Sequence, residues 1–179
     1  MSTPGNADDE VHVGRFSVDA LLKLHGFQGG YLEMLVDGTP AERACEMPAG
    51  FGSHAVWQVG HIAVAGAAPR AMLTGEPPAL PEGYGELFGR DSEPRADAGL
   101  YPSLGAVFEA AAEARDGSAT ALVHATPEVL ARPNPRTAFV ERGLPTLGDM
   151  IGFMMTTHEG MHLGQLAAWR RAIGLDRVI

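Results

Sequence analysis

One stretch near the end of the chain restricts the possible fold more than any other feature. Between 151 and 172, residues spaced alternately four and three positions apart form one stripe of an α-helix: Ile151, Met155, His158, His162, Gln165, Trp169 and Ala172. The stripe is apolar at both ends and polar in its middle. Burying an unpaired polar group costs roughly 1–3 kcal/mol, so two core-facing imidazoles require a partner. The pattern favours a divalent metal ion held inside a helical bundle.

Apolar periodicity and capping residues predict an all-α fold with four main helices. These helices are expected near 17–37, 53–74, 103–125 and 147–173. Ser17, Ser53 and Thr146 are the predicted N-caps, and Pro69 is expected to kink the second helix or to end its regular part. Strand signals are almost absent, so we predict a four-helix bundle.

The segment 76–99 contains four prolines and several glycines. A loop of this length inside a compact domain is either a crossover or a functional lid. We expect it to cross the end of the bundle between helices 2 and 3, beside the metal pocket, and to be more mobile than the helices. Residues 1–14 are polar and unpatterned, which predicts a flexible N-terminal tail before a single domain at 15–179.

Composition argues against several classes of function. The chain of 179 residues has a formal net charge of −9, which disfavours nucleic-acid binding because phosphate contacts need a basic face. No apolar run reaches the roughly 18 residues of a membrane helix, and the first 14 residues do not resemble a signal peptide. Cys45 is the only cysteine, so nothing indicates an oxidising compartment. We expect a cytoplasmic protein that acts on a small molecule.

A third metal ligand must come from another helix, and His61 is the best candidate because it lies mid-way along the predicted second helix among apolar neighbours. His54, two turns earlier, is expected to rim the site and could assist catalysis. Gln165, one turn after His162, could orient an imidazole or a bound water. An isolated pair of histidines four residues apart also occurs by chance, or as two hydrogen-bonded core residues.

Residues 158–162 also match HExxH, the signature of zincin metalloproteases. In its extended form that motif requires a third histidine at position 168, which here is Ala168. The only acid after His162 is Asp176, beyond the predicted helix end, and no edge strand is available for a substrate. The protease interpretation is therefore disfavoured. Glu159 remains a candidate base near the metal, with a flanking surface acid as the alternative.

Two motifs suggest a family. The last helix, from His158 through Gln165 to Gly174, resembles the terminal helix of the DinB/YfiT-like superfamily, and Trp57-Gln-Val-Gly-His61-Ile resembles the second-helix motif of that family. The order of elements is similar over roughly 16–175. The resemblance implies an antiparallel four-helix bundle with a long crossover. It also implies a homodimer and an open site for nickel, zinc or iron, formed by His61, His158 and His162.

Three functions remain open. The first is a metal-dependent S-transferase that uses a low-molecular-weight thiol such as bacillithiol, mycothiol or glutathione. The metal would favour the thiolate, and Tyr84 and Phe88 of the crossover would cover the electrophile. The second is a metal-dependent hydrolase that activates water, assisted by Glu159 or His54. The third is a non-enzymatic metal-binding stress-response protein. Imidazole ligands suit several metals alike, so the native ion is not specified.

Overall fold

The computed structural model describes residues 17–179, and within them the secondary structure is helical apart from one isolated β-bridge. The predicted tail at 1–14 lies outside the described residues. In chain order the α-helices are α1 Val18–Val36, α2 Ala55–Thr74, α3 Tyr84–Phe88, α4 Leu104–Val123, α5 Pro127–Leu130, α6 Thr137–Val140, α7 Leu147–Gly152 and α8 Glu159–Ala172. A π-helical turn, Phe153–His158, joins α7 to α8. None of these helices is both long and apolar enough to cross a membrane.

The main helices α1, α2, α4 and the composite α7–π–α8 helix form the predicted all-α bundle. Contacts along α2 and α4 advance together, because Gly66 lies against Ala114 while Arg70 lies against Gly117. These two helices therefore run in the same direction. Only a connection that returns along the bundle can join them, and the segment between Gly75 and Ser103 does so. The predicted crossover between the second and third main helices is confirmed.

Two of the three predicted N-caps are confirmed. The Ser17 hydroxyl accepts from the Ala20 backbone N–H, and Thr146 forms a reciprocal capping box with Asp149. The cap predicted at Ser53 is wrong, because the imidazole of His54 caps α2 instead. Pro69 does not end this helix, which continues to Thr74 and is followed by Gly75 in the left-handed conformation at φ 77°.

The composite last helix is not regular, and its irregularity changes which residues face the core. A π-helical turn adds residues to a turn of helix, so the buried stripe advances by four residues from Ile151 to Met155, Glu159 and Leu163. Beyond the turn the stripe continues through Leu166 to Trp169 and Ile173. The predicted stripe passed through His158 and His162, whereas these residues lie at its edge and are half-buried.

Candidate metal centre

Three imidazoles from two helices converge on one point. His61 comes from α2, while His158 and His162 come from the end of the π-helical turn and from α8. One ring nitrogen of each lies within 4.8 Å of the others, and the ring centroids are 4.5–5.4 Å apart. From such separations, small side-chain rotations would place all three nitrogens 2.0–2.1 Å from a single ion, which is the typical length of a zinc–imidazole bond. The three residues singled out by the two motifs thus form one candidate site.

The orientation of His61 is fixed by the crossover and by its own helix. Its Nδ1 donates to the Phe88 carbonyl at 2.7 Å, and the indole of Trp57 stacks on its ring at 5.0 Å with an interplanar angle of 11°. Because a carbonyl can only accept, Nδ1 carries the hydrogen and Nε2 presents a lone pair. His61 is therefore held in the tautomer that a metal ligand needs.

His162 is oriented in the same way by Gln58. Its Nδ1 donates to the Gln58 side-chain oxygen at 2.7 Å, while the Gln58 amide nitrogen donates to the Ser53 hydroxyl. Hydrogen bonds of this kind set the tautomer and ring direction of metal-binding histidines. Sequence reasoning missed Gln58, although a polar residue one turn before His61 on a buried helix is a signal that could have identified it.

His158 has a different setting from the other two imidazoles. Its imidazole forms no hydrogen bond within the described part of the chain, and the ring of Phe153 lies 6.0 Å from the His158 ring. Phe153 in turn contacts Phe139 of α6, with ring centroids 5.1 Å apart. Aromatic rings therefore line the side of the site on which α6 lies.

The crossover is tied to α2 by side chains spaced along one face of that helix. Besides the bond between His61 and Phe88, the Trp57 indole N–H donates to the Ser92 hydroxyl at 3.0 Å. The Nε2 of His54 donates to the Arg95 carbonyl at 3.0 Å, and its Nδ1 accepts from the Trp57 backbone N–H. Both nitrogens of His54 are thus engaged, which contradicts its predicted role in catalysis and makes it a structural residue.

The predicted substrate-covering role of Tyr84 and Phe88 is also wrong. Both side chains are buried in the main hydrophobic core, so neither is free to cover an electrophile. A Cβ at Gly60 would overlap the ring of Phe88, which shows that glycine at this position of the Trp57–His61 motif allows the crossover to approach. Phe88 contributes to the site through its backbone carbonyl rather than its ring.

Glu159 does not lie where a base at the metal would, whereas Gln165 lies beside His162 as expected. Glu159 is buried at 5 % exposure, where it forms an ion pair with Arg115 and lies 3.3 Å from Nδ1 of His25. A carboxylate held in this way is not available as a base at the metal. Gln165 is exposed on α8, where its side chain interacts with the His162 imidazole, so its role in orienting that ring stays a prediction.

The electrostatics keep all three imidazoles neutral near neutral pH. Burial lowers the pKa of His61 from its ordinary value of 6.5. Burial, reinforced by the charges that His61 and Arg136 can carry, lowers the pKa of His158 to about 4. Burial and the two neighbouring imidazoles lower the pKa of His162 to about 3. Neutral imidazole is the form that coordinates a metal, so the folded chain holds the ligands ready to bind.

These lowered pKa values predict an unusual pH dependence of metal binding. With ordinary imidazoles, affinity would fall as pH drops through about 6.5. Here we expect zinc affinity to begin falling only at a lower pH than 6.5, because protons compete only as pH approaches the lowered pKa values. The same shift should destabilise the metal-free protein as pH falls from about 6.5 towards 4, since unfolded imidazoles take up protons first. Zinc titrations in buffers of matched ionic strength test the first effect, and thermal unfolding tests the second.

The contact between Gln58 and His162 predicts a second effect. Gln58→Leu should weaken zinc binding by roughly 10- to 100-fold, because the His162 ring loses the acceptor that orients it. Gln58→Glu is the matched control, because it keeps an oxygen acceptor and should retain most of the affinity. Competition with a chromophoric chelator measures both variants. Equal affinities in the leucine and glutamate variants would show that Gln58 does not orient the ligand.

Comparison with known proteins identifies one family. The family model described as the DinB superfamily matches residues 28–166, a range that includes all three histidines. No significant match is found among curated proteins or solved structures. The match therefore bears on the family and its helical-bundle fold, and leaves the activity open.

Proposed function

Because the chain belongs to the DinB superfamily, we propose that it is a divalent-metal-dependent enzyme that transfers a low-molecular-weight thiol to an electrophilic substrate. His61, His158 and His162 are the proposed metal ligands, and nickel, zinc or iron is the proposed ion. The proposed location is the cytoplasm, where thiols of this kind are kept reduced.

The observation that carries this proposal is the composition of the donor set. In the described residues, three imidazoles form the cluster, and no cysteine or carboxylate joins them. Catalytic zinc sites typically have three protein ligands and one open position, whereas structural sites are closed by four. The neutral imidazoles, two of them oriented through Nδ1, fit a divalent ion of this group. The set therefore supports a catalytic role over a purely structural one.

The surroundings of the site favour thiol transfer over hydrolysis. A hydrolase benefits from a nearby base that accepts a proton from water. Both bases considered for that role are engaged elsewhere, since Glu159 is paired with Arg115 and His54 holds the crossover. A thiol has an ordinary pKa near 8.5 and needs less assistance to ionise than water does. Thiol transfer is thus the reaction that these residues serve best.

The chain's own residues have clear parts in this reaction. A bound divalent ion supplies Lewis acidity that favours the thiolate form of a thiol. Phe88 and Gln58 hold His61 and His162 in the required tautomers. The rings of Trp57 and Phe153 provide apolar surface beside the imidazoles, which suits the carbon skeleton of an electrophile. The sulfur bonds to the electrophilic carbon as the leaving group departs with its electron pair, and the thiol proton passes to solvent.

The test begins with metal analysis of protein purified without a histidine tag. Bacillithiol, mycothiol and glutathione are then added separately to cobalt- or nickel-loaded protein, and the absorption spectrum is recorded. We expect at least one thiol to produce a sulfur-to-metal charge-transfer band at micromolar to millimolar concentration. Gln58→Glu, which keeps the ligand geometry, is expected to show the same band. A loaded protein whose spectrum none of the thiols alters would contradict the proposal, as would coordination by four protein ligands.

A further inference from the structure

The π-helical turn is held by side chains from α1. The Nδ1 of His25 donates to the Met155 carbonyl at 3.1 Å, and the Gln28 amide donates to the Thr156 carbonyl at 2.7 Å. From within the turn, the Thr156 hydroxyl donates to the Gly152 carbonyl at 2.6 Å. A π-helical turn departs from the regular hydrogen bonding of an α-helix. These side-chain donors provide hydrogen bonds to backbone carbonyls in and next to the turn.

The turn determines where the two histidines of the last helix point. One residue of α-helix corresponds to a rotation of about 100°. If 153–158 were regular α-helix, the core-facing stripe of α7 would continue through His158, and Glu159 would rotate away from Arg115. In the structure Glu159 is in the buried stripe, and His158 lies at its edge facing His61. The direction of His158 therefore depends on the turn that precedes it.

We propose that His25 and Gln28 are positioning residues for the metal site. By bonding to the carbonyls of Met155 and Thr156 they fix the π-helical turn, and the turn aims His158 at the ion. Neither side chain is a member of the histidine cluster. The inference rests on the proposed function, because it requires that His61, His158 and His162 bind a metal.

His25 and Gln28 suit this role because both contact residues that flank His158 in the sequence. His25 is buried at 5 % exposure, and its Nδ1 also lies 3.3 Å from the Glu159 carboxylate. It thus contacts residues on both sides of His158 in the sequence. Gln28 packs closely against Gly160, where an added Cβ would lie 3.1 Å from the Gln28 amide nitrogen. Together they fix the backbone on either side of the ligand.

The test compares metal binding with stability in the full chain. Gln28→Met keeps the side-chain length but loses the donor, and we expect it to weaken zinc binding by roughly 10-fold or more and to change the visible spectrum of bound cobalt. Ser118→Ala is the matched control, because it removes a hydrogen bond from a buried side chain to the Gly66 carbonyl outside the turn. It should destabilise the protein without altering zinc affinity or the cobalt spectrum.

A second pair of variants gives the answer if Gln28→Met does not fold. His25→Asn places an amide nitrogen near the position of Nδ1, whereas His25→Gln places it near that of Nε2, away from the Met155 carbonyl. We expect the asparagine variant to bind zinc more tightly than the glutamine variant. The positioning role would be overturned if Gln28→Met matched Ser118→Ala, and His25→Asn matched His25→Gln, in zinc affinity and cobalt spectrum. That result would leave the metal site itself intact. If wild-type protein binds no metal, the proposed function and this inference both fail.

Discussion

His162→Ala is expected to abolish stoichiometric binding of zinc or nickel. The substitution removes one of two ligands that α8 and the adjoining π-helical turn provide, and it leaves Gln58 without its imidazole partner. Wild-type protein should gain about 2.7 kcal/mol of stability when the free metal is 100-fold above Kd. The variant should gain almost none. Isothermal titration measures the binding stoichiometry, and thermal unfolding with and without metal independently measures the gain in stability.

His124→Ala is the matched control for this prediction. His124 lies at the C-terminal end of α4, exposed and outside the cluster of three imidazoles, so its loss should change neither metal stoichiometry nor metal-dependent stabilisation. Binding of zinc or nickel that is equally tight in wild type and His162→Ala would refute the assignment of the site.

The motif in α2 shows how much of the site the sequence could reveal. Residue type and spacing indicated that His61 would meet His158 and His162, because helical periodicity places each on a definite face. The structure adds a role for the rest of the motif. Trp57 stacks on His61, Gln58 orients His162, and Gly60 makes room for Phe88. These roles depend on the partner that each residue meets, which spacing along one helix does not specify.

The errors at the crossover have a common physical origin. Phe88 and Arg95 each accept a histidine hydrogen bond through a backbone carbonyl, and backbone groups are the same at every position of a sequence. Side-chain chemistry therefore suggested that Tyr84 and Phe88 would face a substrate and that His54 was free. Burial in the core explains the two aromatic residues, and helix capping explains the histidine.

The π-helical turn explains the errors in the last helix. The prediction assumed 3.6 residues per turn from 147 to 173, which places His158 in the buried stripe and Glu159 beside it. The wider turn at 153–158 moves the stripe by one residue, so that Glu159 is buried and His158 is at the edge. Hydrophobic periodicity has no distinct signal for a single π-helical turn, because the apolar pattern before and after it is helical in both cases.

The burial of Glu159 has a large expected effect on stability. Arg115 and Glu159 form an ion pair with side chains only 7 % and 6 % exposed, and although burial lowers the pKa of Arg115 to about 10, its guanidinium remains charged at neutral pH. Arg115→Met would leave the Glu159 carboxylate without its cation in the core. Removing one partner of a buried pair costs about 3–5 kcal/mol, which corresponds to a midpoint roughly 6–20 °C lower. Thermal unfolding of the metal-free wild type and variant measures this shift of the midpoint.

A double variant separates the cost of the unpaired charge from the value of the pair itself. Arg115→Met combined with Glu159→Met leaves no buried charge at this position, and replacing a buried pair by apolar residues of similar volume is often neutral or stabilising. We therefore expect the double variant to recover most of the stability lost in Arg115→Met. Lys23→Met, which removes an exposed pair with Asp19 on α1, should leave the midpoint unchanged. If the double variant instead stays as unstable as Arg115→Met, the unpaired Glu159 carboxylate is not the source of the lost stability, and this account of Arg115→Met is wrong.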